Sequence, residues 1–239
     1  MKFLDLTFPT PAENLACDEA LLDWCEELDG WNVLRFWEPP EHFVVVGYAN
    51  KISSEVNAAA CSESQVPILR RCSGGGTVVQ GPGCLNYSLI LRMDAGGPLA
   101  GINSANRFIM ERNRAALETV LQRPVEISGH TDLALGGLKF SGNAQRRKKN
   151  FLLFHGTFLL RFNLSLIETI LPLPSLQPDY RQNRAHSKFL TNLDSPADAV
   201  KLALRDIWQA DEPLDTPPGE TILSLARDKY VTEAWNFKF

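Results

Sequence analysis

Three consecutive glycines follow a pair of arginines in Arg70-Arg71-Cys72-Ser73-Gly74-Gly75-Gly76-Thr77-Val78. Each glycine loses more backbone entropy on folding than any other residue. A run of three therefore belongs where the chain must turn tightly or approach another group closely. Without side chains, successive N–H groups can converge on an oxyanion. Arg70 and Arg71 add charge, and either can offer bidentate contact to a carboxylate or phosphate. A tight hairpin with bulges would use glycine in the same way, so the loop alone leaves both uses open. Two familiar phosphate loops are excluded. A P-loop needs Lys-Ser/Thr after its last glycine, where this chain has Thr77-Val78, and the dinucleotide fingerprint needs a glycine where Val79 stands.

The segment continues as Gln80-Gly81-Pro82-Gly83-Cys84-Leu85-Asn86-Tyr87. A Gly-Pro-Gly turn is expected to hold the loop against the next strand, with Asn86 pinning it by side-chain hydrogen bonds. About sixty residues later, Gly137-Leu138-Lys139-Phe140-Ser141-Gly142-Asn143-Ala144 delivers one cation on a short strand of small residues. A lysine facing inward from such a strand is costly unless an anion pairs with it. The small residues at 141, 142 and 144 are what a close approach of backbone and ligand requires.

Composition limits the classes of function. The chain has 239 residues, 44% hydrophobic and 22% charged, as in ordinary globular proteins. A net charge of −4 argues against general nucleic-acid binding, which leaves a basic footprint. No apolar run approaches the roughly 18 residues that span a bilayer. Met1-Lys2-Phe3-Leu4-Asp5 reaches an acid too early for a secretory leader, so a cytoplasmic location is expected. The five cysteines, 17, 25, 61, 72 and 84, show no Cys-x-x-Cys spacing, so no metal site and no disulfide framework is expected. Cys17 and Cys25 read as core; Cys72 and Cys84, beside the glycine loop, are the two candidate reactive thiols.

Apolar spacing predicts a helix over 14–28, a second over 103–121 and a last one over about 219–230. Ser195-Pro196-Ala197-Asp198 predicts a capped helix start, with Val200, Leu204 and Ile207 as its buried stripe. Strands are predicted at 32–37, 43–47, 66–69, 86–91, 125–128, 132–135, 138–141 and 151–162. Residues 172–192 carry three prolines and no periodicity, and a connection of that length is usually functional. The absence of regular βαβ spacing predicts an α/β (α+β-like) domain of mixed, largely antiparallel sheet flanked by helices. Residues 1–239 are expected to form one catalytic domain.

These motifs resemble those of the lipoate–protein ligase A and octanoyltransferase family, whose catalytic domain is shared with biotin ligases. The family's Arg-Arg-x-Ser/Thr-Gly-Gly-Gly-x-Val is similar to residues 70–78, and its Asp-Leu with Lys-x-Ser-Gly-x-Ala to Asp132-Leu133 and Lys139–Ala144. Its His-Gly-Thr-Leu-Leu resembles His155-Gly156-Thr157-Phe158-Leu159. Thr191-Asn192-Leu193 and Trp235-Asn236-Phe237 also match, and all matches fall in family order. The resemblance implies an acyl tunnel, with Lys139 as the essential residue contacting the acyl carboxylate and the α-phosphate of an acyl-adenylate. It further implies that Arg70, Arg71, Ser73, Gly74, Gly75, Gly76, Thr77, Val78, Asn86, Ser141, Gly142, Ala144, His155, Gly156 and Thr157 bind the activated acyl group. A core role for His155 stays open. Gln80 stands where many members have histidine.

Two enzymatic readings follow from the resemblance, and a third is not enzymatic. An ATP-dependent ligase, using ATP, Mg2+ and lipoate or octanoate, would modify a lysine of a lipoyl carrier domain. Because the chain stops two residues after Trp-Asn-Phe, with no C-terminal accessory domain, a separate accessory protein is an expected partner of such a ligase. An octanoyltransferase would instead carry octanoyl from acyl carrier protein on a cysteine, with Cys72 or Cys84 as the available thiols. The third reading is a lipoyl-binding module without catalysis. Neither nucleic acid nor membrane is an expected partner. Arg146-Arg147-Lys148-Lys149 is a basic run that would either steer an acidic carrier domain or form a solvated turn.

Overall fold

Thr10-Pro11-Ala12-Glu13 starts the first helix, α1 (Pro11–Leu28), at Pro11 rather than at residue 14. Thr10 Oγ1 accepts from the Glu13 N–H at 3.2 Å while the Thr10 N–H donates to Glu13 Oε2 at 3.0 Å, a reciprocal cap. The computed structural model describes residues 1–239. Its remaining helices are α2 (Ile52–Glu55), α3 (Ala58–Glu63), α4 (Ile102–Leu121), α5 (Leu164–Ile170), α6 (His186–Phe189), α7 (Ala197–Trp208), α8 (Gly219–Leu225) and α9 (Glu233–Asn236). Helix α7 begins one residue later than its sequence suggests, because Pro196 rather than Ser195 occupies the cap. Its buried stripe is Val200, Leu204 and Trp208, with Ile207 half-buried.

The strands are β1 (Lys2–Asp5), β2 (Val33–Trp37), β3 (Phe43–Val46), β4 (Ile68–Arg70), β5 (Val78–Gln80), β6 (Cys84–Arg92), β7 (Glu126–Ser128), β8 (Asp132–Leu135), β9 (Leu138–Arg147), β10 (Phe151–Leu159) and β11 (Glu212–Pro213). Eight of them form one sheet in the order β11-β1-β2-β6-β10-β9-β8-β7; β4-β3-β5 form a small second sheet. Pairing in the large sheet is antiparallel from β2 to β7, and β1 runs parallel to both β2 and β11. The fold is therefore mixed α/β with a mostly antiparallel sheet, as the irregular strand spacing predicts.

Alternation along the central strands divides the core between the two faces of the large sheet. One face packs Leu34, Tyr87, Leu89, Phe154 and Phe158 against α4 and α7. A buried polar chain runs through this layer. Trp208 Nε1 donates to Asn113 Oδ1 at 2.9 Å, Asn113 Nδ2 to the Tyr87 hydroxyl at 2.7 Å, and that hydroxyl to Asn143 Oδ1 at 2.7 Å. The other face packs Val33, Trp37, Ile90 and Leu153 against α1, α8 and the small sheet.

The basic run at 146–149 is not a free docking strip. β9 extends to Arg147, so the run occupies the end of a long strand and the following turn. Arg146 Nη1 donates to the Cys72 carbonyl at 2.7 Å, Arg147 Nη2 to the Leu99 carbonyl at 2.7 Å, and Lys148 pairs with Asp23 at 2.6 Å. Three of the four charges are thus committed to holding the hairpin in place; Lys149 alone is exposed.

Strand β3 runs directly into Gly47, whose hydrogen faces the glycine loop. A Cβ there would lie 2.1 Å from the Gly75 carbonyl oxygen. Gly47→Ala is expected to push the loop away from β3 and destabilise the fold by about 1–3 kcal/mol, the usual penalty of overpacking. Urea denaturation measures this, and an unchanged midpoint would show that the loop does not rest on Gly47.

Candidate functional site

Cross-strand register lays out the site floor in rows. Gly142 of β9 faces Thr157 of β10, Thr157 faces Asn86 of β6, and Asn86 faces Trp37 of β2. Two residues along, Ala144, His155, Ser88 and Arg35 form the adjacent row on the same face.

Lys139 reaches this face through an irregularity that alternation does not reveal. The β8–β9 register shifts by one residue between Leu133 and Ala134, so that Leu133 pairs Ser141 but Ala134 pairs Lys139. The extra residue in β9 changes the parity of the strand. Lys139 therefore shares a face with Gly142 and Ala144, whereas Phe140 is buried against α4 and α7. A Cβ on Gly142 would lie 2.8 Å from Lys139 Nζ, so the amine lies directly over that glycine. Asp132 Oδ1 pairs with the amine at 2.8 Å, and the Tyr180 hydroxyl donates to Asp132 Oδ2 at 2.7 Å. The lysine side chain is 25% exposed and opens into the cavity rather than lying on an outer surface.

Arg71 shapes the glycine loop. Its guanidinium is folded inside the loop, donating to the Gly74 carbonyl at 2.6 Å, the Gly76 carbonyl at 2.7 Å and Ser73 Oγ at 3.1 Å. Asn50 Nδ2 donates to the Gly75 carbonyl at 3.1 Å. With the carbonyls so occupied, the N–H groups of residues 74–77 make no hydrogen bond within the chain. Gly75 has φ +86°, and a Cβ there would lie 2.9 Å from Arg71 Nη2 and 3.3 Å from the Ala144 Cβ, so only glycine leaves room for the folded guanidinium. Burial draws the Arg71 pKa down to about 10, and no carboxylate pairs with it. A buried cation beneath unpaired N–H donors is the electrostatic shape of an oxyanion site.

Beside the loop, Ser73 Oγ lies 2.6 Å from His155 Nε2, and His155 Nδ1 lies 3.1 Å from Asp18 Oδ2. Asp18 Oδ1 accepts from Arg35 Nη1 at 2.6 Å, and both side chains are buried. Burial by itself would raise the Asp18 carboxyl; Arg35 and the His155 hydrogen bond outweigh it and hold it below the ordinary carboxylate range. An ionised Asp18 only accepts, so Nδ1 carries a proton. Arg71 only donates, so Ser73 Oγ accepts from Arg71 while also bonding His155 Nε2. Both ring nitrogens are thereby engaged.

A cavity of about 620 Å³ covers this floor, a size suited to a small-molecule ligand. Its lining joins Lys139, Gly75, Gly76, Thr77, Val78, Arg71, Ser141, Gly142, Ala144, His155, Gly156, Thr157 and Asn86, all singled out in the sequence. Apolar walls come from Leu15, Trp37, Val45, Val79 and Ile167. Residues 172–192 close one side with Pro172, Leu176, Arg181, His186 and Phe189. Ser175 Oγ donates to Glu55, and Arg184 Nη1 donates to the Gly137 carbonyl at 3.2 Å, fastening that segment at both ends. Arg181 is buried, stacks 4.7 Å from the Phe189 ring and has no carboxylate partner.

Several expected residues fall elsewhere. Arg70 is fully buried outside the cavity and donates to the carbonyls of Gly47, Tyr48, Asn50 and Asn236. It is a brace between β3, β4 and the Trp235-Asn236 turn, because its guanidinium faces away from the loop that Arg71 fills. Ser73 and Gly74 lie behind the lining. Asn86 does not pin the glycine loop; its Oδ1 accepts from Thr157 Oγ1 at 2.5 Å. Neither Cys72 nor Cys84 lines the cavity, and burial pushes both thiols up to about 12. Sequence reasoning missed Asp18, Arg35, Gly47, Gln80 as a lining residue, and Tyr180. Asp18 sits in an otherwise apolar stripe of α1, which was the available sign.

The arrangement is that of an α/β domain with a lysine and an oxyanion loop sharing one largely apolar cavity. The lipoyl protein ligase A/B catalytic domain family matches residues 10–206, and the chain belongs to that family. Among relatives, it is 25% identical to octanoyltransferase LipM of Halalkalibacterium halodurans across 99% of this chain and 98% of that protein. It is 29% identical to lipoate–protein ligase 1 of Staphylococcus aureus, across 99% of this chain and 73% of that protein. A bi-partite lipoate protein ligase from Thermoplasma acidophilum, studied with its E2 lipoyl domain, superposes with a TM-score of 0.83 at 22% identity, covering 99% of this chain and 95% of that one. A lipoate-protein ligase A bound with ATP also gives 0.83, at 23% identity and 99% coverage of each chain. No helix is long and apolar enough to cross a membrane.

The lowered Asp18 pKa has a consequence for stability. Its contribution is complete above the unfolded carboxylate value, about 3.9, and is lost as pH falls from there through the folded value. Asp18→Asn should cost about 3–5 kcal/mol near neutrality, because Arg35 stays buried without its partner. It should also flatten the acid limb of the stability curve. Thermal melts at pH 7 and pH 3.5 measure both effects; an equal loss at the two pH values would mean that Asp18 does not carry the charge.

Proposed function

We propose that the chain is an ATP-dependent ligase that joins lipoate to a lysine of a lipoyl carrier domain through an acyl-adenylate. The observation that carries this reading over its rival is the absence of sulfur from the cavity lining, together with three cations that border it, Lys139, Arg71 and Arg181. Adenylation brings a carboxylate and a triphosphate together, and fixed cations reduce their repulsion while stabilising developing charge. A carboxylate oxygen attacks the α-phosphorus and pyrophosphate departs, with Mg2+ accompanying the nucleotide. The carrier lysine amine then attacks the acyl carbon, and AMP leaves with the bonding pair.

In this reading Lys139 exchanges its partner Asp132 for the acyl and phosphate oxygens, and the N–H groups of residues 74–77 hold the acyl-phosphate oxygen. Arg181 covers the phosphates from the 172–192 segment. His155 is a positioning residue: engaged at both nitrogens, it fixes Ser73 and hence the loop. Support comes from the ligases named above, one bound with ATP and one studied with a lipoyl domain. Residues 1–239 act as the catalytic domain, and an accessory protein is a partner to be sought.

An octanoyltransferase is the second reading, favoured by the end-to-end likeness to LipM. It needs a nucleophilic thiol, yet all five cysteines are free and buried. Burial raises every one of them, Cys17 and Cys25 to about 12 as well. Thiolate, not thiol, is the nucleophile.

Lipoate-dependent ATP–pyrophosphate exchange tests the first reading. Exchange is expected in the native chain and a loss of at least about 10³-fold in Lys139→Ala, the scale of removing one transition-state charge contact, with an unchanged circular dichroism spectrum. No exchange, but octanoyl transfer from a carrier thioester, would establish the second reading. Thiol labelling gives an independent check. No cysteine should react rapidly with a disulfide reagent in the folded protein and all five should react after unfolding. A fast-reacting thiol whose blockage stops acyl transfer would contradict the ligase.

A further inference from the structure

Along the row that leads from Gly142, beneath the Lys139 amine, toward β2, the cavity floor carries buried polar groups without partners. Gln80 Nε2 donates to Thr157 Oγ1 at 3.0 Å, and Thr157 Oγ1 donates to Asn86 Oδ1 at 2.5 Å. This directed chain leaves an acceptor, Gln80 Oε1, at one end and a donor, Asn86 Nδ2, at the other; both are buried and unpartnered. Next on the same row, the Trp37 indole Nε1 is a second buried donor without a partner. Gln80, Asn86 and Trp37 are each more than nine-tenths buried, and all three line the cavity.

Their distance from the lysine fixes what they meet. Neighbouring strands lie about 4.8 Å apart, so Asn86 is two spacings, about 10 Å, across the sheet from Gly142, over which the Lys139 amine sits. An extended eight-carbon acyl chain with its carboxyl at Lys139 spans that interval. Laid along this row, its last carbons would rest between Gln80, Asn86 and Trp37.

We infer that Gln80, Thr157 and Asn86, with Trp37, form a selectivity ridge that favours an acyl chain bearing sulfur at its far end over a plain hydrocarbon. This deepens the function proposed above and rests on it. A saturated tail seals the two N–H donors and the Gln80 oxygen away from water with nothing to bond, which buried polar groups resist. A dithiolane sulfur is a weak acceptor for the Asn86 and Trp37 N–H groups, and the reduced dithiol adds an S–H donor for Gln80 Oε1. Sites built around hydrogen-bonding groups reject analogues that lack the matching atoms.

Isothermal titration calorimetry with free lipoate and free octanoate tests the ridge without requiring turnover. The native chain should bind lipoate about ten-fold more tightly than octanoate, in keeping with weak sulfur acceptors. Gln80→Leu should bring the two within about two-fold, mainly by tightening octanoate. Thr157→Val, nearly isosteric, should shift the ratio the same way, and it replaces Gln80→Leu should that variant fail to fold by circular dichroism. Equal affinities in the native chain, or a preference that survives in both folded variants, would overturn the ridge while leaving the acyl-binding function standing. Binding of neither acid would overturn the function and the ridge together.

Discussion

Arg71 is the interaction on which the site depends. A buried guanidinium needs its donors filled, and the nearest acceptors are the carbonyls of Gly74 and Gly76, at 2.6 and 2.7 Å. Satisfying Arg71 therefore turns those carbonyls inward and leaves the N–H groups of residues 74–77 unbonded. The same contacts place a positive charge behind the donors. Only glycine lets the chain close so tightly around its own arginine, since Gly75 has φ +86° and a Cβ there would lie 2.9 Å from Arg71 Nη2.

Around that loop, the large sheet acts as a ruled surface. Register sets Gly142, Thr157, Asn86 and Trp37 in one row and Ala144, His155, Ser88 and Arg35 in the next. The one-residue shift beside Leu133 brings Lys139 onto the same surface. Lys139 thus sits at the β9 end of the rows and the polar ridge toward β2, so in the proposed function one sheet sets both where the acyl carbon lies and where the chain stops. The buried Asp18–Arg35 pair anchors the second row, and through His155 it reaches Ser73 and the loop.

Much of this was legible from residues. Glycines 74–76, Lys139 and the small residues at 142 and 144 announce a close approach, and all of them but Gly74 do meet in one cavity. The mixed, mostly antiparallel fold followed from irregular strand spacing. What was hidden depends on partners far apart in sequence. Two adjacent arginines look interchangeable, yet alternation on leaving β4 sends Arg70 toward Asn236 and Arg71 into the loop. Asp18 on α1 reaches His155 across 137 positions. The β9 shift leaves no mark on composition. The basic run looked like a surface feature because its acceptors, Cys72, Leu99 and Asp23, lie on three separate segments.

The central claim is that the N–H groups of Gly75, Gly76 and Thr77 receive an anionic oxygen of the ligand while Lys139 neutralises it from the other side. Amide 1H–15N spectra recorded while titrating a non-hydrolysable lipoyl-adenylate analogue read this directly. The account predicts downfield shifts and slowed hydrogen exchange at those three amides, together with a shift of the Lys139 ammonium. Saturating binding that leaves the three amides unmoved would contradict it.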